Sequence, residues 1–248
     1  MFLEVLNGYI CSSEMSLHSV EVNTATLLSA LMLDQPPSHL PIFSVRDRCL
    51  RITTFPAEMS GMRVQTVEVA SSECLCFRMS EKVCRFLQRC QGYHNMMFAL
   101  DNGTLKVTLE STCSALQVEW PDVDTVEEVY FDRHVDDITM SVATDEWLKL
   151  WQTVPDMGEV TVRCHARKKN VTLTHVSNKW AAVIRIPTAA DRDGVFVCRG
   201  DIARTFFGTC PIGSAFSTFS VLTFMSNGVL KWQVGKVEVY LAPFVKEP

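Results

Sequence analysis

Apolar and polar residues alternate one by one over much of this chain. Leu17-His18-Ser19-Val20-Glu21-Val22 alternates, as do Cys49-Leu50-Arg51-Ile52 and Gln65-Thr66-Val67-Glu68-Val69. The same pattern returns in Thr104-Leu105-Lys106-Val107-Thr108-Leu109, in Glu159-Val160-Thr161-Val162-Arg163, in Val171-Thr172-Leu173-Thr174 and in Val237-Glu238-Val239-Tyr240. A period of two with β-branched residues predicts half-buried antiparallel strands. Asp101-Asn102-Gly103 and Ser226-Asn227-Gly228 read as hairpin turns, because Asn and Gly accept positive φ at little cost. Four stretches carry a helical period instead: residues 24–33, 80–91, 144–154 and 199–208. Ser80 and Thr144 suit an N-cap, Glu81, Asp145 and Glu146 suit the positive end of the helix dipole, and Gly92 is a stop.

The order of these elements repeats. A helix, a Gly, a strand, a tight turn and a strand run from Ser80 to Leu109, and again from Thr144 through Gly158 to Thr174. Two halves of similar α+β build are expected. Between them lies an acidic stretch that starts at Pro121 and ends in Val129, Tyr130 and Phe131, read as an exposed connector. The expected division is a segment at 1–16, a first domain at 17–120, the connector at 121–135 and a second domain at 136–248.

Composition narrows the class. The chain has 248 residues, 47% of them apolar, enough for a large core. It holds no apolar run of about 18 residues to span a membrane, and no basic start ahead of an apolar stretch to act as a secretory signal. Ten scattered Cys, with no CxxC pair, read as free thiols in a reducing interior, nuclear or cytoplasmic. Cys74-Leu75-Cys76 reads as strand alternation rather than a metal site. The net charge of -5 excludes a wholly basic nucleic-acid coat and leaves room for a basic surface on one face.

Signs of catalysis are absent. The chain has no GxSxG, P-loop, GxGxxG or HExxH. Cys164 and His165 are adjacent in a predicted strand, so they point to opposite faces and cannot form a nucleophile–base pair. No enzyme, cofactor or metal is expected.

The closing strand, Lys236-Val237-Glu238-Val239-Tyr240-Leu241-Ala242-Pro243-Phe244, resembles the C-terminal end of eukaryotic-type DNA sliding clamps, the proliferating cell nuclear antigen family. Other segments resemble that family in order and spacing: the helix and strand from Thr144 to Val162, the segment Arg204 to Ile212, and Val83 to Gly92 with its basic-Cys-x-Gly end. The likeness spans Leu17 to Val245. The segment 1–16, a short stretch between Leu109 and Trp120, a first helix without a base, and acidic Asp156 and Asp201 mark a divergent member, with a virus as one source.

The resemblance implies an α+β fold of two similar halves, with helices lining a ring interior and antiparallel sheets outside. It implies a non-enzymatic processivity factor that encircles duplex DNA and tethers polymerase and other replication and repair proteins. A homotrimer opened by a clamp loader is the implied assembly. Lys82, Arg85, Arg89, Lys149, Arg199 and Arg204, on the predicted helices, are the implied DNA contacts, sequence-independent and weak enough for sliding. The implied partner-peptide groove takes Phe55, Met59 and Met62, then Val129, Tyr130 and Phe131, then Tyr240, Leu241, Ala242, Pro243 and Phe244. Subunit contacts are expected on edge strands, with Ser114, Leu116 and Val118 of one subunit against Ala181, Val183 and Arg185 of the next. Two alternatives stay open: a checkpoint-type subunit of a hetero-oligomeric clamp, and a monomeric or dimeric viral processivity factor using basic loops such as Arg167-Lys168-Lys169.

Overall fold

The structure is a computed structural model that describes residues 18–32, 41–55, 60–71, 74–121, 123–128, 130–131, 133–153, 158–176, 181–188, 190–208 and 218–244. The chain divides into two compact units. The first takes residues 1–57 and 64–130; the second takes 58–63 and 131–248.

The first unit holds β1 (His18–Asn23), α1 (Thr24–Met32), β2 (Ile42–Arg46), β3 (Cys49–Thr54), most of β4 (Gly61–Glu68), β5 (Leu75–Arg78), α2 (Glu81–Gln88), β6 (Asn95–Asp101), β7 (Thr104–Glu110) and β8 (Ala115–Trp120). The second holds β9 (Ile138–Ala143), α3 (Thr144–Thr153), β10 (Glu159–His165), β11 (Asn170–Val176), β12 (Ala181–Pro187), β13 (Gly194–Arg199), α4 (Gly200–Gly208), β14 (Phe219–Phe224), β15 (Leu230–Val234) and β16 (Val237–Leu241). Each unit is therefore two successive βαβββ repeats.

Within a unit the repeats exchange their first strands. β1 pairs with β6, giving the order β1-β6-β7-β8, while β5 pairs with β2 beside β3 and β4. The second unit repeats the device: β13 pairs with β10 in β12-β11-β10-β13, and β9 pairs with β14 beside β15 and β16. The strand pairs are antiparallel, and alternation sets which face is buried. In β7, Leu105, Val107 and Leu109 are fully buried while Lys106 and Thr108 are half-buried on the other face.

Local chemistry fixes the helix starts and hairpins. Ser80 Oγ accepts the N–H of Val83 at 3.3 Å and caps α2. Asn23 Oδ1 does the same for Thr26 at 3.1 Å ahead of α1. Thr144, read as a cap, is instead the buried first residue of α3. The β6–β7 hairpin turns on Asn102 (φ 48) and Gly103 (φ 78), as expected of a primed turn. The β2–β3 hairpin makes the same turn with Asp47 (φ 50) and Arg48 (φ 61), where the sequence gives no glycine signal.

The two cores differ. In the first, Phe43, Phe77 and Phe98 lie among aliphatic residues from both sheets and from α2. In the second, Trp147 and Trp151 of α3, Phe207 of α4 and Trp232 of β15 form one aromatic cluster with centroids 5.1–5.6 Å apart. The indole N–H of Trp232 donates to Ser220 Oγ at 2.8 Å.

Candidate nucleic-acid and partner surfaces

α2 turns Val83 and Leu87 inward. That leaves Lys82, Arg85 and Arg89, spaced three and four apart, on its exposed side. Arg85 is held by Glu81, one turn earlier. Lys82 and Arg89 form no ion pair among the described residues. α1 has no basic residue in its last turn and no acid in its first. On α3 the exposed side carries Asp145, Glu146 and Lys149, with Lys149 Nζ 3.8 Å from Glu146. Arg199, expected on a helix, is the last residue of β13. Its Nε donates to Asp201 Oδ1 at 3.2 Å. That guanidinium holds the Asp201 carboxyl below its usual range. Arg204 is half-buried on α4. The six implied contacts thus divide into a basic face on α2 and three residues whose surroundings include acids or burial.

The proposed connector is bound to the first unit along its first part. The N–H of Val123 donates to Gly103 O and the N–H of Arg78 donates to Asp124 O, both at 2.8 Å. Thr125 bridges to Phe77 of β5. The connector expected to be exposed has Pro121, Asp124, Thr125 and Glu127 exposed, while its Asp124 carbonyl and Thr125 cover the outer edge of β5. Tyr130 lies under two guanidiniums, Arg46 and Arg51, at 5.2 and 4.7 Å from its ring centroid. Its hydroxyl donates to Glu128, which also pairs with Arg51 at 2.9 Å. Burial, then the Glu128 bond, pushes the Tyr130 phenol upward. No sequence pattern links Arg46 and Arg51 to Tyr130 and Glu128, because these partners lie far away in the chain. The chain passes from the first unit to the second between Tyr130 and Phe131.

In the second unit Phe131 stacks on Tyr240, with centroids 5.0 Å apart. Lys231 Nζ lies over the Tyr240 ring, 5.3 Å from its centroid, and the Tyr240 hydroxyl donates to Glu238 at 2.9 Å. Tyr240, Leu241 and Met62 are 3%, 1% and 0% exposed, so these three implied groove residues are core here. Beyond them Pro243 and Phe244 are exposed and Ala242 is half-buried. The tail is fixed by its backbone: the N–H of Ala242 donates to Ser60 O at 2.9 Å, and that of Phe244 to Val197 O at 2.8 Å. Gly61 makes this approach feasible, since a Cβ there would lie 2.6 Å from Tyr240 O and 2.9 Å from the Phe206 ring. Phe55, in the first unit, is half-buried, while Met59 and Val129 lie outside the described residues.

The two implied subunit edges are terminal strands of their sheets, β8 in the first unit and β12 in the second. β8 is open along most of its length, with Leu116 40% exposed and Val118 half-buried. Ser114, just before it, bonds Ser111 at 2.8 Å. On β12, which Ala181 begins, Val183 and Arg185 are exposed.

Three thiols do not suit nucleophilic work. Burial pushes Cys84 and Cys164 up to about 11 and Cys198 up to about 12. No cluster of three or more His, Cys, Asp or Glu suited to a metal occurs among the described residues. No described helix is long and apolar enough to cross a membrane.

This arrangement of interleaved antiparallel sheets and paired helices is the fold of the DNA sliding clamps. The chain is similar to the crystal structure of Proliferating Cellular Nuclear Antigen from Entamoeba histolytica, at 11% identity and a TM-score of 0.64, over 94% of this chain and 100% of that one. It is also similar to a putative DNA polymerase III beta subunit from Eubacterium rectale, at 10% identity and a TM-score of 0.63, over 96% of this chain and 68% of that one. No protein-family profile matches the sequence, and no curated protein sequence matches it.

Proposed function

We propose that this chain is a DNA polymerase processivity factor: a non-enzymatic clamp that closes into a homotrimeric ring around duplex DNA and slides along it. The observation that carries the reading is the fold likeness, which runs the whole length of a clamp of the same size. Two features of the chain support it. Each unit ends a sheet in an open strand, β8 in one and β12 in the other. Two different edges that pair head to tail make a heterologous contact, which closes a ring when the rotation fits. The exposed side of α2 offers Lys82 and Arg89 without acidic partners, suited to transient phosphate contact.

Partner proteins, polymerase and repair factors among them, would dock short peptides with aliphatic and aromatic anchors on the tail of the second unit. Pro243 and Phe244 are exposed there beside half-buried Ala242. A clamp loader would open the ring, and the work would take place at nuclear or cytoplasmic sites of replication.

Mass measured in solution tests the ring. Three chain masses are expected for the protein. Leu116→Lys, a change at an exposed edge position, should reduce the mass to one chain with an unchanged circular dichroism spectrum. One chain mass for the unaltered protein overturns the homotrimer.

A further inference from the structure

The sheet β12-β11-β10-β13 has a second face that the clamp reading leaves unused. Val160, Val162 and Cys164 of β10 point into the core with α3 and α4. Their alternate neighbours Thr161, Arg163 and His165 therefore point away from both helices. On that outer face lies a concavity with a volume of about 790 Å³. Its lining is cationic and hydroxylated: Arg163, Lys168 and Arg185 stand with the His165 ring around Thr172 and Thr174. Among the described residues no carboxylate contributes to the lining.

The register explains the arrangement. Arg163 on β10 faces Thr172 on β11, which faces Arg185 on β12. Adjacent strands are about 4.8 Å apart, so the two arginines start about 10 Å apart with a threonine between them. Thr172 is only 8% exposed, and its Oγ1 is 3.3 Å from His165 Nε2. Arg163, Arg185 and Lys168 are exposed and have no ion-pair partner among the described residues. Like charges gathered without a counter-charge repel one another, and a bound anion relieves that. Exposed Arg167 and Lys169 extend the positive rim through the β10–β11 turn, where Lys169 takes φ 49.

We infer that this concavity binds the backbone phosphates of a single nucleic-acid strand on the outer surface of the sheet. Several separated cations fit a chain of phosphates better than one small anion. Among the described residues Val183 is the only apolar side chain in the lining, which offers little to a peptide that needs apolar anchors. A duplex is stiff over about 50 nm and would meet the rim alone, whereas a single strand bends into the hollow. Among the described residues no Phe, Tyr or Trp lines the site, and the half-buried His165 is engaged with Thr172, so stacking on bases adds little. Binding is therefore weak, strongly salt-dependent and blind to sequence, with the bases left facing solvent. Pairing at the β12 edge uses backbone groups and leaves this face open, so the site does not depend on ring closure.

The test titrates the full chain with labelled single-stranded DNA at several salt concentrations. Arg163→Ser with Arg185→Ser should lower affinity about tenfold and flatten the log–log salt slope by about 1.4, the value for two lost contacts on a single strand. Arg163→Lys with Arg185→Lys should retain most of the slope. An abasic strand should bind as well as one with bases, and inorganic polyphosphate should compete. Unchanged affinity and slope in the double Ser variant, with circular dichroism intact, overturn the site. A strand that needs its bases overturns the backbone reading. An acidic or phosphorylated peptide that binds through both arginines, while DNA binding ignores them, replaces the nucleic acid with a peptide. Solution mass is read in parallel, so a failed ring and a failed outer site are told apart.

Discussion

The exposed faces of α2 and α3 are the sharpest contrast in the molecule. Both helices hold the same place in their repeats, each following the first strand of a βαβββ repeat. α2 shows Lys82, Arg85 and Arg89 against one acid, Glu81; α3 shows Asp145 and Glu146 against Lys149. Burial of the opposite face dictates the fold of each helix, and the exposed face is free to vary. The fold repeats and its surface charge does not. The cores make the same point: the first unit is filled by aliphatic residues and phenylalanines, the second by a tryptophan cluster.

The largest expected effect is on that cluster. Trp232→Ala removes a fully buried ring from among Phe207 and its neighbours and should cost about 4 kcal/mol, read as a lower denaturant midpoint in the second unit. A loss under about 1 kcal/mol would mean that the aromatic core is not what distinguishes this unit. Gly61→Ala places a Cβ 2.6 Å from the Tyr240 carbonyl and should cost about 2 kcal/mol by overpacking. A wild-type midpoint would show that the tail yields readily there.

The helix comparison itself is tested next. Lys82→Ala with Arg89→Ala should weaken duplex DNA binding several-fold and flatten the salt slope by about 1.8. Lys149→Ala, beside Glu146, should change it far less. Equal losses from both variants would abolish the contrast drawn here.

The smallest effect concerns pH. The Arg199 bond lowers the Asp201 carboxyl in the folded chain. A depressed folded pKa gives stability that is present above the ordinary 3.8 and fades as pH falls through the lower folded value. Asp201→Asn should remove that part of the acid sensitivity. Its acid denaturation profile, compared with wild type, checks this; identical profiles would show that the bond adds nothing.

What could be read from the sequence followed the degree of exposure. β7 and β10 alternate cleanly because only one face is buried, and both were legible. β2 is buried at Ile42, Phe43, Ser44 and Val45 in succession, so it shows no period and escaped notice. β9, β13 and β14 also went unread, and with them the fact that each half is itself two repeats. Arg199 reads as helical in the sequence because the chain runs from β13 into α4 without a break. Among candidate groove residues, Met62 and Tyr240 look like Pro243 and Phe244 in the sequence, as apolar residues near a turn or terminus. Only the register of their strands sends the first two inward. The outer cations were visible as Arg163 and Arg185, but the row they form with Thr172 depends on pairing across three strands.

The exchange of first strands has a temporal consequence. β1 waits for β6, and β9 for β14, across most of a unit's length. During synthesis the early strand of each unit leaves the ribosome with its long-range edge unpaired, and the sheet closes only when the second repeat follows. Contacts of such long sequence separation slow folding and expose strand edges in the interval. A pause or truncation between two repeats would therefore leave a half with two unfinished sheets, a nascent chain that depends on a holding chaperone until its twin emerges.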